Sequence, residues 1–328
     1  MLFVTFHGGS SASKGVPCPV NNVYAYDETG TSPIQPYLNV LSVPASVPLS
    51  ELRAMCFANG YLYVANGSKK VTDVLCFKQS SETTNPLFLY VSTFVSNSVN
   101  SIAHPFGICF DTGGHAYVSS QDTNVVTQLN VATDFKTGSA VSGNAASYLT
   151  SFGTGFLNGT FVASHEAVPG YSGTPKVDDK KGGLDFSLTS GAISNSVRDV
   201  VICNGILCVA DEVEQMVKMY DLTSGTFLGA SAKLPSGPIH LLVQGQILYA
   251  GVGAAVYSGL PSGSSLTLSS VLTASDEVSG ICFDGSGNFY VALRKENAIY
   301  QYDQSFKNGK ELLANLPDNP EFVVWQVS

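Results

Sequence analysis

Four of the five histidines in this chain, His7, His104, His165 and His240, stand where a short apolar run begins or ends. His7 follows Leu2 to Phe6, His165 follows Thr160 to Ser164, His104 precedes Pro105-Phe106, and His240 sits beside Ile239. Arg53 and Arg198 occupy matching places at the start of two other runs, and Asn66, Gln121, Glu166, Asp211 and Arg294 follow the ends of further ones. An imidazole can give or take a proton near neutral pH, and a guanidinium can polarise a carbonyl or hold a carboxylate. Together they suit lyase, isomerase or cyclase chemistry on a small organic substrate, which needs neither a redox cofactor nor a covalent nucleophile. His7, His165, Arg53 and Arg198 are therefore the candidate catalytic groups. Asn66, His104, Gln121, Glu166, Asp199, Asp211, His240 and Arg294 are the candidate substrate-binding groups.

Other chemistries have less support in the residue pattern. No Gly-x-Ser-x-Gly elbow is present, and the Gly-rich turns lack the strand-to-helix context of a phosphate loop. No CxxC or CxxH spacing suggests zinc. His7, His104, His165 and Asp211 are the donors that could reach a shared divalent ion. The expectation is a site without a cofactor, with such a metal as the alternative.

These residues need a scaffold that brings distant positions together, and the chain supplies one by repetition. Ser279 to Asp303 reads as three short strands: Ile281 to Phe283, a turn at Asp284 to Asn288, Phe289 to Leu293, a polar turn, and a strand from Ile299. The middle strand recurs as LFVTF, LYVAN, AYVSS, TFVAS, LCVAD, LYAGV and FYVAL, centred on Val4, Val64, Val118, Val162, Val209, Ala250 and Val291. Steps of 41 to 60 residues between them, with several strands per step, are the signature of a β-propeller. The expected fold is all-β: one domain over residues 1–328, most simply seven blades of four antiparallel strands. The copy at Thr160 to Ser164 is the weakest, and without it the count is six with one large insertion. Glu321 to Trp325 follows Asn319-Pro320 as Phe106 to Phe110 follows His104-Pro105, so the C-terminal strand should close the ring as the innermost strand of the first blade.

In a blade the first strand crosses from one face to the other and the second returns. The start of the first and the end of the second therefore share a face, and all the candidate residues should surround one channel mouth. Two roles remain open for Arg53 and Arg198: tying adjacent blades, or forming a fork for a ligand oxygen. The loops Gly8 to Asn22 and Ala167 to Gly183 are candidate lids.

Composition narrows the partners. A net charge of −9 with only 16 Lys and Arg argues against nucleic acid and anionic membrane. No apolar run approaches the length of a membrane span, and Leu2 to Phe6 is too short for a secretion signal and lacks its basic start. A cytoplasmic location is favoured, and a secreted chain with its leader removed is compatible; oligomeric state is open. The seven cysteines include Cys56, Cys109 and Cys282 at equivalent inner-strand positions, as small core residues rather than a disulfide framework.

His104-Pro105-Phe106-Gly107-Ile108 and Tyr290-Val291-Ala292 resemble the inner and second strands of NHL-type propellers. The chain is similar in this respect to the gluconolactonase-like and virginiamycin-B-lyase-like propellers, a group that also includes pure binding modules. The resemblance implies the fold and a site at the channel mouth. Neither the lactonase set of metal-binding Glu, Asn and Asp nor the lyase His-x-His pair occurs in an aligned place. A non-catalytic scaffold for a protein or glycan is the alternative function. The mouth residues differ from blade to blade, which favours one central site over repeated ones.

Overall fold

A computed structural model describes residues 1–8, 20–27, 35–68, 71–81, 86–96, 102, 104–121, 125–140, 197–223, 225 and 227–326, with the strand backbones 161–162, 176–178 and 183–185. It is an all-β propeller of six blades, each built on four antiparallel strands in order from the axis outward. The second blade runs Leu52–Ala58, Tyr61–Gly67, Thr72–Gln79 and Phe88–Ser96, and adds the short Leu41–Ser42 at its rim. The inner strands of the next four are Pro105–Phe110, Val197–Cys203, Pro238–Gln244 and Val278–Phe283.

The first blade is completed by the chain's other end. Pro320–Trp325 pairs with Leu2–Phe6, placing Trp325 opposite Leu2 and Phe322 opposite Thr5. Two further bonds fasten the closure: the Met1 ammonium donates to the Gln326 carbonyl at 2.7 Å, and the His7 N–H to the Asn319 carbonyl at 2.8 Å.

The count is six, not seven, because the third blade packs directly on the one that begins at Val197. Tyr117 and Val126 share an apolar cluster with Val197, Val200, Leu207 and Tyr220 across that gap. A Cβ on Gly107 would lie 2.9 Å from the Val200 nitrogen and 3.0 Å from the Asp199 Cα, so these two backbones are in contact. Five more apolar clusters fill the other gaps, one between each pair of neighbouring blades. Of the expected extra blade, the described part is Phe161–Val162, whose backbone pairs with Val125 and Val126 of the third blade. The expected strand at Tyr148 to Phe152 lies outside the described residues.

One local device recurs where chemistry would need it. Every blade carries a bulge between its inner and second strands at the same end, where the inner strand has one residue more than its partner. The bulges begin at Glu321, Arg53, Phe106, Arg198, Ile239 and Ser279. A bulge turns a side chain out of the pleat, here toward the axis. The start of the inner strand is also pinned to the end of the second: Gly67, Gln121 and Arg294 donate N–H to the carbonyls of Glu51, His104 and Glu277 at 3.2, 3.0 and 3.0 Å.

At the opposite end, the strand tyrosines have a structural role. Tyr290 donates to Asp284 at 2.9 Å and accepts from Gln301 at 2.9 Å. Tyr117 repeats this with Asp111 at 3.2 Å and Gln128 at 2.9 Å.

Candidate functional site at the channel mouth

Five of the six bulge positions, Glu321, Arg53, Phe106, Arg198 and Ile239, line one cavity of about 180 Å³ on the axis. His7, Gln121, Glu212 and Arg294, all at second-strand ends, complete its wall. The sequence expectation that strand starts and strand ends meet at one mouth therefore holds for His7, Arg53, Gln121, Arg198 and Arg294.

The charges inside form a chain. Glu321, 3% exposed, sits between Arg53 Nη1 at 3.0 Å and Arg294 Nη2 at 3.1 Å. Arg53 also meets Glu51 at 3.2 Å, Arg294 meets Glu277 at 3.4 Å, and Arg198 pairs with Glu212. Burial alone would push the Glu321 carboxyl up, but the guanidiniums of Arg53 and Arg294, with His7 and Arg198 beyond, outweigh it and hold it below the usual carboxylate value. Burial lowers the Arg198 pKa, against the pull of Glu212 and Glu321. Arg198 also lies over the Phe106 ring, 5.6 Å from its centre.

These ion pairs leave donors unused. Arg53 Nε and Arg198 Nη1 are buried and donate to no acceptor among the described residues. Arg53 is only 6% exposed at its side chain, so a bare N–H there is costly unless something else accepts it. His7 Nδ1 lies 3.3 Å from the Gly8 carbonyl. Since a carbonyl only accepts, Nδ1 is the donor of that contact, which leaves Nε2 for other partners.

The remaining candidates lie elsewhere. Asn66 is fully buried and saturated: its amide donates to the Pro48 carbonyl and to Asp73, both at 2.9 Å, and its oxygen accepts from the Ser50 N–H at 2.8 Å. Asp211 faces Lys218 at 3.1 Å, with Glu214 on the same ammonium at 2.9 Å, all three buried. Asp199 accepts from the N–H groups of Val200 and Leu241 at 2.8 and 2.9 Å, and burial pushes its carboxyl up to about 7. His240 stacks on Phe322 at 4.0 Å, and burial lowers its pKa to about 3, so it is a neutral ring in the wall. His104 is buried beside Glu51, 3.8 Å away. His165, Glu166 and most of both candidate lids lie outside the described residues.

Of the four donors weighed for a divalent ion, Asp211 is engaged by Lys218 and His165 is outside the description. No group of three His, Cys, Asp or Glu side chains among the described residues is placed to hold a metal. Glu212 and Glu321 matter more to the pocket than the sequence alone suggested. Their signal was available, since each occupies a mouth position equivalent to a candidate in another blade.

Fold and site together define a six-bladed β-propeller with one asymmetric polar pocket on its axis. No family model matches the chain, and no curated protein matches it. Among solved structures it is similar to a 6-phosphogluconolactonase-like protein from Bacteroides fragilis, at 13% identity and a TM-score of 0.55, covering 98% of this chain and 97% of that one. It is also similar to a chain of the nidogen/laminin complex, at 12% identity and a TM-score of 0.56, covering 98% and 96%. At these identities the likeness establishes the fold alone.

Proposed function

We propose that the axial pocket binds a small organic molecule with a carbonyl group and that the protein acts on it as a non-redox enzyme of the lyase, isomerase or cyclase type. A cyclase of natural-product biosynthesis falls within this class. The observation that carries the reading is that Arg53 and Arg198 both line the axial cavity and that each keeps a buried guanidinium N–H, on Nε and Nη1 respectively, with no acceptor among the described residues. A carbonyl oxygen placed there accepts from them, which stabilises negative charge as a neighbouring carbon loses a proton. His7, in the wall of the same cavity, is the group that takes that proton and returns it elsewhere.

The test is proton exchange. In deuterium oxide, bound carbonyl compounds should exchange protons on the carbon next to the carbonyl, followed by NMR. His7→Asn should bind them but lose the exchange. Saturable binding in the pocket with no exchange by any compound would instead favour the second reading, a non-catalytic scaffold for a protein or glycan. That reading draws on the likeness to a chain of the nidogen/laminin complex.

A further inference from the structure

The charge balance around the axial pocket restricts what can enter it. Arg53 faces Glu51 and Glu321, Arg198 faces Glu212, and Arg294 faces Glu277 and Glu321. Three guanidiniums are thus met by four carboxylates, and no positive surplus remains for an incoming anion. The chain's net charge of −9 adds a repulsive field at longer range. Two buried donors there, Arg53 Nε and Arg198 Nη1, have no acceptor among the described residues, and Glu321 Oε2, in ion-pair range of Arg294 at 3.1 Å, accepts no hydrogen bond among them.

The pocket also has an outlet. A second cavity of about 470 Å³ shares Glu212 and Ile239 with it and runs over the neighbouring blades. Its wall includes the small residues Gly237, Gly253, Ser236 and Ser275, with Asp276 and Glu277 at its side. This groove again offers acids and hydroxyls in place of cationic grip; its one lysine, Lys295, is 73% exposed and turned to Glu277 at 3.3 Å.

Resting on the reading of the pocket as a carbonyl site, we infer that its ligand is an uncharged molecule. A carbonyl head is seated on Arg53 and Arg198, and a hydroxyl-bearing tail lies in the adjoining groove. Carboxylates and phosphate esters are rejected: each would place a new negative charge beside Glu321 and Glu212, and the arginines already have counter-ions. The axial volume holds roughly six waters at ~30 Å³ each, which suits a head of one small ring.

Three probes of similar or smaller bulk separate the cases: 2-piperidone, a neutral cyclic amide; valerate, with the same number of heavy atoms and one negative charge; and inorganic phosphate. Titrations at one ionic strength, followed by NMR, should show 2-piperidone binding roughly tenfold or more tighter than either anion, a margin worth about 1.4 kcal/mol. Arg198→Leu should abolish that binding with the thermal midpoint monitored to confirm folding. Glu212→Gln, which frees Arg198 of its counter-ion, should tighten valerate several-fold and narrow its margin against 2-piperidone. Valerate or phosphate binding the unmodified protein as tightly as 2-piperidone overturns the inference and leaves the pocket a ligand site. If no probe binds, or binding is indifferent to Arg198→Leu, the carbonyl-site reading falls along with it.

Discussion

The number of blades fixes which residues can meet on the axis, and a double-mutant cycle at Gly107 and Asp199 tests it. Gly107→Ala puts a methyl group against the Asp199 carboxylate, 2.9 Å from the Val200 nitrogen and 3.0 Å from the Asp199 Cα. Overpacking of this kind costs about 1–3 kcal/mol. Asp199→Ala removes the acceptor for the Val200 and Leu241 N–H groups, which are bonded at 2.8 and 2.9 Å. Leaving one buried donor unsatisfied costs about 1–3 kcal/mol, so this variant should lose at least that much. With both changes the alanine methyl enters the space the carboxylate vacated, and only the two backbone contacts oppose it. The double variant should therefore be more stable than the sum of the single losses implies, by about 1–2 kcal/mol, within the range for touching residues. Urea unfolding of the four proteins at one pH gives the coupling directly. Additivity within about 0.5 kcal/mol would refute the reasoning, because it means the two residues are not neighbours and another blade stands between them.

Three further outcomes follow from the same contacts. Ending the chain at Asn319 removes the strand that pairs with Leu2–Phe6 and buries Phe322 and Val323, so circular dichroism should show no cooperative melting. Lys218→Met takes the ammonium away from the buried carboxylates of Asp211 and Glu214 and should cost about 3–5 kcal/mol in urea unfolding, whereas loss of a surface ion pair costs under about 1. Asp199 and His240 give opposite pH dependences. The Asp199 carboxyl, pushed up to about 7 by burial, stabilises the fold below the ordinary Asp pKa, and that contribution is lost as pH rises toward 7. His240, lowered to about 3 by burial, gives stability that is lost as pH falls from about 6.5 toward 3. Between pH ~4 and ~6.5 the two largely cancel, so Asp199→Asn should make stability rise with pH relative to the parent, and His240→Gln should make it fall, each by up to about 1.4 kcal/mol per pH unit. Parallel curves for all three proteins would contradict this assignment.

Much of the scaffold was readable from residue order because a blade is a local object. Leu2, Leu62, Ala116, Leu207, Leu248 and Phe289 all lie in second strands, and the closing strand at Glu321 to Trp325 is where Pro-x-apolar spacing put it. The blade count was harder. TFVAS at Thr160 to Ser164 has the residue types of a second strand, but ring membership is decided by which inner strands touch. The Gly107 and Val200 backbones do touch.

The site was legible to the same depth. Position along a strand correctly placed Arg53 and Arg198 in equivalent spots, and Gln121 and Arg294 at the mouth. It could not tell which way a side chain turns. The bulge aims Arg53 and Arg198 at the axis, while Asp199, next to Arg198, is turned into the seam between blades. Asp211 was lost to a partner on the adjacent strand, Lys218, whose burial no local pattern reveals. His240 is a wall residue because Phe322, from the far end of the chain, stacks on it.

The account depends most on the two arginine donors being met by a ligand oxygen. A crystal structure of the protein soaked with small neutral carbonyl compounds measures this directly. The account predicts a single bound molecule in the axial pocket, its carbonyl oxygen about 2.7–3.2 Å from Arg53 Nε or Arg198 Nη1. Compounds found only on the outer faces, with both donors instead closed off by residues of the chain itself, would contradict it.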